Sequence, residues 1–241
     1  MPKFLAVGVP SLGTVSAHWA AAYSDLAWPM NYGVTKLWVV GKDVASARNE
    51  IVARALAFAG GRVTHLFFID DDVLIHRTAA VQLMRRHVPI CSGVYFTKSD
   101  PAEPLIFPGP LEGTDPFLPD QFRPVWGHGM GCTLIAREVF ERMQQELDLG
   151  VDAYGHPQWY CTLRNEPTTM GSVASASEDL YFLDHAAQLG YQPHIDTTVH
   201  CFGWHFDKQT QVGYPLPQWR EWQESGRITW DTPDGPVTWS L

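Results

Sequence analysis

The chain lacks any stretch approaching 18 uninterrupted apolar residues, so no membrane-spanning helix is expected. Its apolar N-terminal segment stops at Pro10, too short for the hydrophobic region of a signal peptide. Cationic side chains are scarce, 17 Lys and Arg against 26 Asp and Glu, and the net charge is −9. The longest basic run is Arg85-Arg86. That balance excludes a general electrostatic grip on nucleic acid and leaves DNA only a local groove, such as Lys98 and Arg123 could form. The four cysteines are widely spaced, with no C-x-x-C pair. Without an export signal they read as reduced, mostly buried thiols, and the expected location is the cytoplasm. Two nucleotide-binding signatures are also missing: no G-x-G-x-x-G follows the first strand, and no Walker-type Gly-Lys-Ser/Thr occurs. There is no internal repeat and no low-complexity segment.

What the chain does have is apolar mass, 45% hydrophobic residues in 241, punctuated by 18 prolines. This suits one large domain, or one domain with a small appendage. We place the domain at 1–205 and an extension packed on it at 206–241. The last 38 residues hold five of the ten tryptophans (Trp204, Trp219, Trp222, Trp230 and Trp239), too aromatic for a disordered tail.

The first hundred residues read β-α-β-α-β-α-β. Strands are expected at Phe4–Val9, Leu37–Val40, Leu66–Ile69 and Ile90–Phe96, and helices over about 15–27, from Ser46 to Gly60-Gly61, and over Ala79–His87. The helix from Ser46 carries Ile51, Val52, Ala55, Leu56 and Ala59 at period 3.6. Such alternation signals a parallel sheet with helices on its faces. Beyond it lie irregular stretches over 100–124 and 150–170, helices over 137–147 and 177–190, and a strand over 194–201.

The densest chemistry is Leu66-Phe67-Phe68-Ile69-Asp70-Asp71-Asp72. An apolar run this short and uniform suits a strand buried on both faces, and acids at its C-terminal end stand where open α/β sheets hold ligands. Three adjacent carboxylates repel, so a divalent cation on a phosphorylated substrate is a natural counter-charge. Ser177-Glu178-Asp179 opens a helix. Its acids either complement the helix dipole, with Ser175-x-x-Glu178 as a capping box, or supply a general base. Arg48 opens the second helix and is either a phosphate or base ligand or a solvated first-turn side chain. In Gly127-His128-Gly129-Met130-Gly131 the glycines let backbone approach a bulky ligand or a neighbouring strand. His200 ends the last apparent strand, and an imidazole there would suit Mn²⁺ better than Mg²⁺. Tyr95, Trp126 and Trp204 could stack on a sugar or base, or fill the core.

Taken in order, these motifs resemble the GT-A fold glycosyltransferases, in the style of compact enzymes encoded by bacteriophages and bacteria. The resemblance runs from Val7-Gly8-Val9-Pro10-Ser11 through Ala47-Arg48-Asn49, the Asp70-x-Asp72 motif, Ser92–Lys98, Gly129–Ile135 and Ser177-Glu178-Asp179 to His200. It implies a Rossmann-like, mostly parallel sheet flanked by helices, and a nucleotide-sugar donor, UDP- or GDP-linked. Mn²⁺ or Mg²⁺ would be held by Asp70, Asp72 and His200, with Asp70 acting through water or the donor ribose. Pro10, Ser11, Arg48, Asp71 and Lys98 would hold the donor, and Trp126, Gly129, Met130 and Gly131 would line the sugar and acceptor pocket. Asp179, or else Glu178, would deprotonate the acceptor hydroxyl in an inverting transfer. His205 competes with His200 as metal ligand, and the strand end favours His200. The acceptor stays open among a surface glycan, a small molecule, a protein and a modified DNA base. Two other classes use strand-end carboxylates or this fold: a metal-dependent nucleotidyltransferase, disfavoured because Pro10–Thr14 has no Lys or Arg, and a non-catalytic carbohydrate-binding protein.

Overall fold

A computed structural model describes residues 3–109, 113–115, 117–164, 175–230 and 235–240. In chain order the first elements are β1 (Lys3–Ser11), α1 (Ala17–Ser24), β2 (Tyr32–Val40), α2 (Val44–Ala57), β3 (Val63–Ile69), β4 (Val73–Ile75), α3 (Ala79–Arg85) and β5 (Ile90–Gly93). Next come β6 (Ile106–Phe107), β7 (Phe122–Pro124), β8 (Gly127–His128), β9 (Cys132–Ala136), α4 (Arg137–Glu146), β10 (Leu163–Arg164), β11 (Ser175–Ala176) and α5 (Glu178–Gln188). The chain closes with β12 (His194–Asp196), β13 (Gly203–Asp207), β14 (Val212–Tyr214), α6 (Leu216–Ser225), β15 (Arg227–Trp230) and β16 (Val237–Ser240).

Seven strands form the central sheet in the order β2-β1-β3-β9-β5-β12-β7. Five run the same way; β9 and β7 are antiparallel to their neighbours. The result is a mixed α/β architecture with a mostly parallel sheet between helices, compatible with a Rossmann-like fold. Period-2 alternation divides β1 and β3 between two cores. Leu5, Val7, Val9, Phe67 and Ile69 face one side with Trp19, Leu83 and Trp219, from α1, α3 and α6. Ala6, Leu66 and Phe68 face the other, with Ile51, Val52, Phe140 and Phe182 from α2, α4 and α5. That is why β3 reads as uniformly apolar. Burying each of its phenylalanines contributes about 1.5–3 kcal/mol.

Caps set the helix starts. Ser16, Asp43 and Ser177 accept from Trp19, Ser46 and Leu180 backbone N–H groups. The cap of α5 is therefore Ser177, not Ser175, which lies in β11. Helix α2 begins two residues before Ser46 and ends at Ala57; a 3-10 turn then closes at Gly61, whose φ of 82° is left-handed. The apparent strand over 194–201 breaks after Asp196 into a 3-10 turn at 199–201. Strand β9 enters the sheet where the sequence suggests only an approach to α4. The stretch over 100–124 holds β6 and β7 rather than being irregular throughout, and residues 165–170 of the 150–170 stretch lie outside the described residues. Cys91, Cys132 and Cys201 are buried free thiols, and Cys161 is half-buried. Trp219 is in the main core and Trp222 packs against it; the side chains of Trp230 and Trp239 lie outside the described ones. No helix among the described residues is long and apolar enough to cross a membrane.

Candidate active site

Strands β1 and β3 are adjacent and parallel, so Ser11 and the Asp70–Asp72 turn emerge side by side at their C-terminal ends. The Ser11 hydroxyl donates to Asp71 Oδ2 at 2.6 Å. Between them opens a cavity of about 330 Å³ lined by Pro10, Ser11, Leu12, Lys42, Val44 and the three aspartates. Pro10, Ser11 and Asp71 thus share one cleft.

Each aspartate meets a different cation. Asp71 Oδ1 is 2.7 Å from Lys208 Nζ. Asp72 Oδ2 accepts from Lys98 Nζ at 2.6 Å and lies 3.5 Å from His205 Nε2. Burial opposes ionisation of Asp72, but His205 and Lys98 outweigh it and hold the carboxyl well below the usual range. Asp70 turns inward: Arg48 Nη2 donates to its Oδ1 and Oδ2 at 2.8 and 3.0 Å. Burial raises the Asp70 pKa, and Arg48 only partly counters it.

Arg48 is 1% exposed, so it is not a solvated side chain, and it does not line the cavity between Ser11 and the aspartates. It falls on the inward stripe of α2 with Ile51, Val52 and Ala55. Its Nη1 donates to Glu178 Oε1 at 2.5 Å and Asp179 Oδ1 at 2.6 Å, and its guanidinium lies over the Phe68 and Tyr160 rings. Burial disfavours its charge, yet three carboxylates, Asp179 foremost, more than offset this and keep it protonated. The guanidinium therefore joins the β3 turn to the start of α5. The second oxygen of Asp179 accepts the Met130 backbone N–H at 3.1 Å. Burial, with Glu178 and Asp70 adding to it against Arg48, pushes Asp179 up to about 7.

The glycine motif serves backbone approach to neighbouring side chains. A Cβ at Gly129 would stand 2.3 Å from the Tyr95 hydroxyl, and one at Gly131 2.9 Å from Asp70 Oδ2. Gly131 N–H donates to the Tyr95 hydroxyl at 3.0 Å. Met130 is fully buried, so its side chain does not line an acceptor pocket; its backbone N–H is what reaches Asp179. Tyr95 and Trp204 are core residues, 4% and 6% exposed. Trp126 is half-buried beside Gly127, whose Cα faces Leu180 of α5.

His200 is not among the groups at the aspartates. It sits exposed in the 3-10 turn, its Nδ1 3.0 Å from the Thr78 hydroxyl and its ring beside His76. His205 takes the place at Asp72 because β13 pairs with β4 and His205 stands opposite Val73. Its Nδ1 lies 2.8 Å from the Phe96 carbonyl. A carbonyl only accepts, so Nδ1 carries the proton and Nε2 is the atom turned to Asp72. Sequence reasoning misses Lys208, and ranks His205 second; alternation along Gly203–Asp207, with Trp204 and Phe206 buried and His205 between them, is the signal for His205.

An imidazole fixed through Nδ1–H by a carbonyl, with Nε2 beside a carboxylate, is the arrangement in which histidine ligates a metal. Asp72 and His205 therefore fit a divalent cation as two protein donors, whereas Asp70, with both oxygens on Arg48, does not fit as a direct ligand. Among the described residues no group of three or more His, Cys, Asp or Glu is arranged to hold a metal.

No protein-family model matches the chain, and no curated protein matches it. Among solved structures it is similar to the viral protein A197 from STIV, at 17% identity and a TM-score of 0.52, over 86% of this chain and 87% of that one. At that identity the likeness speaks for the fold alone.

Proposed function

We propose that the chain is a metal-dependent glycosyltransferase that moves a sugar from a nucleotide-sugar, UDP- or GDP-linked, to an acceptor hydroxyl. The observation that carries this reading is the pairing of Asp72 with His205 Nε2 next to Asp70, which Arg48 ties to Asp179. Asp72 and His205 would hold Mn²⁺ or Mg²⁺, which when bound would offset the negative charge building on the leaving diphosphate. Lys98 and Lys208 add positive charge beside the same cleft. Pro10, Ser11 and Asp71 border the nucleotide. Asp179 takes the acceptor's proton as its oxygen attacks the anomeric carbon and the bond to the diphosphate breaks. The phage or bacterial cytoplasmic setting goes with the sequence resemblance that implies this chemistry. The acceptor class stays with the glycan, small-molecule, protein and DNA-base alternatives.

The test is a thermal-shift screen with UDP- and GDP-sugars, with and without Mn²⁺. A ligand that binds only the folded state raises the melting temperature. Stabilisation is expected with Mn²⁺ and one donor together, lost in Asp72→Ala and in His205→Ala, and retained in His200→Ala. Equal loss in His200→Ala and none in His205→Ala would reverse the ligand assignment. No stabilisation by any donor, alongside stabilisation by a nucleoside triphosphate, would favour nucleotidyl transfer.

A further inference from the structure

A second cavity, of about 400 Å³, opens between α1, β4 and α6, apart from the carboxylate cleft. Its wall is Leu74, Ile75 and Phe202 with the indoles of Trp204, Trp219 and Trp222. Trp204 and Trp219 are buried and Trp222 is half-buried. Its ring is tilted 46° to Trp204 and 38° to Trp219. There is thus no parallel slot between these indoles for a flat base, whereas a puckered ring needs only one indole to lie against.

The rim supplies His18, Asp25, His76 and Arg77. Arg77 Nε and Asp25 Oδ2 are 3.5 Å apart, with side chains 61% and 67% exposed. A pair so long and so solvated holds its partners weakly, and both groups retain hydrogen-bonding capacity, one as a fork of donors and one as acceptors. His76 engages Thr78 through Nδ1, which directs Nε2 elsewhere. The rim charge is balanced. A phosphate would meet Asp25, and a quaternary ammonium would meet Arg77, so neither ion suits the cavity. A neutral ring with hydroxyls round its edge suits it: polarised C–H bonds lie against the negative face of an indole, while hydroxyls pair with carboxylate and guanidinium. The volume lies within the range of small-molecule sites.

From this geometry we propose that the cavity is a saccharide-binding site, in which a neutral pyranose stacks on Trp222 and hydrogen-bonds Asp25 and Arg77. It is a binding function separate from sugar transfer, and it stands whether or not the carboxylate cleft is catalytic.

The experiment titrates the full chain with the methyl glycosides of glucose, galactose, mannose and N-acetylglucosamine, followed by tryptophan fluorescence and ligand-observed NMR. Choline and inorganic phosphate serve as charged probes. At least one glycoside should saturate in the millimolar range, and Asp25→Asn and Trp222→Ala should each weaken it by about tenfold or more. Ala21→Phe, which fills the cavity from α1 and leaves the indoles in place, should abolish it. Should Trp222→Ala fail to fold, Asp25→Asn and Ala21→Phe still report on the cavity. Absence of saturation by all four glycosides, binding of choline or phosphate in their place, or unchanged affinity in Asp25→Asn and Ala21→Phe would overturn the proposal. Because the readout is binding without turnover, a failure here is separable from a failure of the transferase reading.

Discussion

Arg48→Met is expected to cost the protein about 3–5 kcal/mol, the range for removing one partner of a buried ion pair. The guanidinium is the cation bonded to Asp70, Glu178 and Asp179 together. Methionine fills much of the same volume but leaves three carboxylates facing one another in a poorly solvated space. Against a typical total stability of about 5–15 kcal/mol the loss is large, and for a chain of this size it lowers the melting temperature by roughly 6–20 °C. Its pH dependence has a definite sign. Burial already raises the folded-state pKa values of Asp70 and Asp179 above their unfolded values, and without Arg48 they rise further. Their protonated forms then stabilise the fold below the unfolded pKa, and that contribution disappears as pH rises through the folded pKa. The gap between variant and parent should therefore narrow on acidification and widen above neutrality. Arg48→Lys should fall between, since an ammonium restores charge without the fork that reaches Asp70 and α5 at once. Melting curves from acid to mildly alkaline pH settle the point; a Met variant that melts within about 2 °C of the parent at alkaline pH would contradict the network.

The same arginine shows where sequence reading stops. Helix α2 is legible as a helix because Ile51, Val52 and Ala55 recur at helical spacing, and Arg48 lies on that very stripe. A charged residue on an apolar stripe is a buried ion pair waiting for partners, but the partners come from β3 and α5, far away in sequence. The β-α-β alternation is legible because each strand is short, apolar and followed by a cap or glycine. Strand β9 is not, since Cys132–Ala136 runs without a turn into α4 and carries no boundary signal of its own. His205 is hidden differently. The stretch from His194 to Cys201 reads as one strand, so its end looks like a strand end. In fact the strand stops at Asp196, where the Asp196 carboxylate accepts from Arg86 and from the Thr198 backbone. A new strand then begins at Gly203. Lys208 could not be found at all, because nothing near it in sequence marks Asp71 as its partner.

Asp179→Asn should lower the acceptor-dependent rate of nucleoside diphosphate release by about 10²–10⁴-fold, the usual contribution of a positioned base. Donor binding should survive, because Asp179 bonds Arg48 and Met130, whereas the proposed metal-holding pair Asp72 and His205 has other partners, Lys98 and the Phe96 carbonyl. The asparagine amide cannot satisfy both neighbours. Whichever way it turns, its NH₂ meets either the Arg48 Nη1 donor or the Met130 N–H, so some stability is lost as well. The pH profile separates the two effects. Burial raises Asp179 to about 7, so the base is ionised only above neutrality, and the parent rate should climb through about pH 7. Its stability should move oppositely, being greatest while the proton is held and declining as pH rises through the same range. In the Asn variant the acid limb of the rate should vanish and leave a small, flat residual activity. Glu178→Gln, which keeps Asp179, should retain the limb. If Glu178→Gln instead abolished both rate and limb while Asp179→Asn stayed within tenfold of the parent, the base would be Glu178, and the Met130 N–H would be a structural contact only.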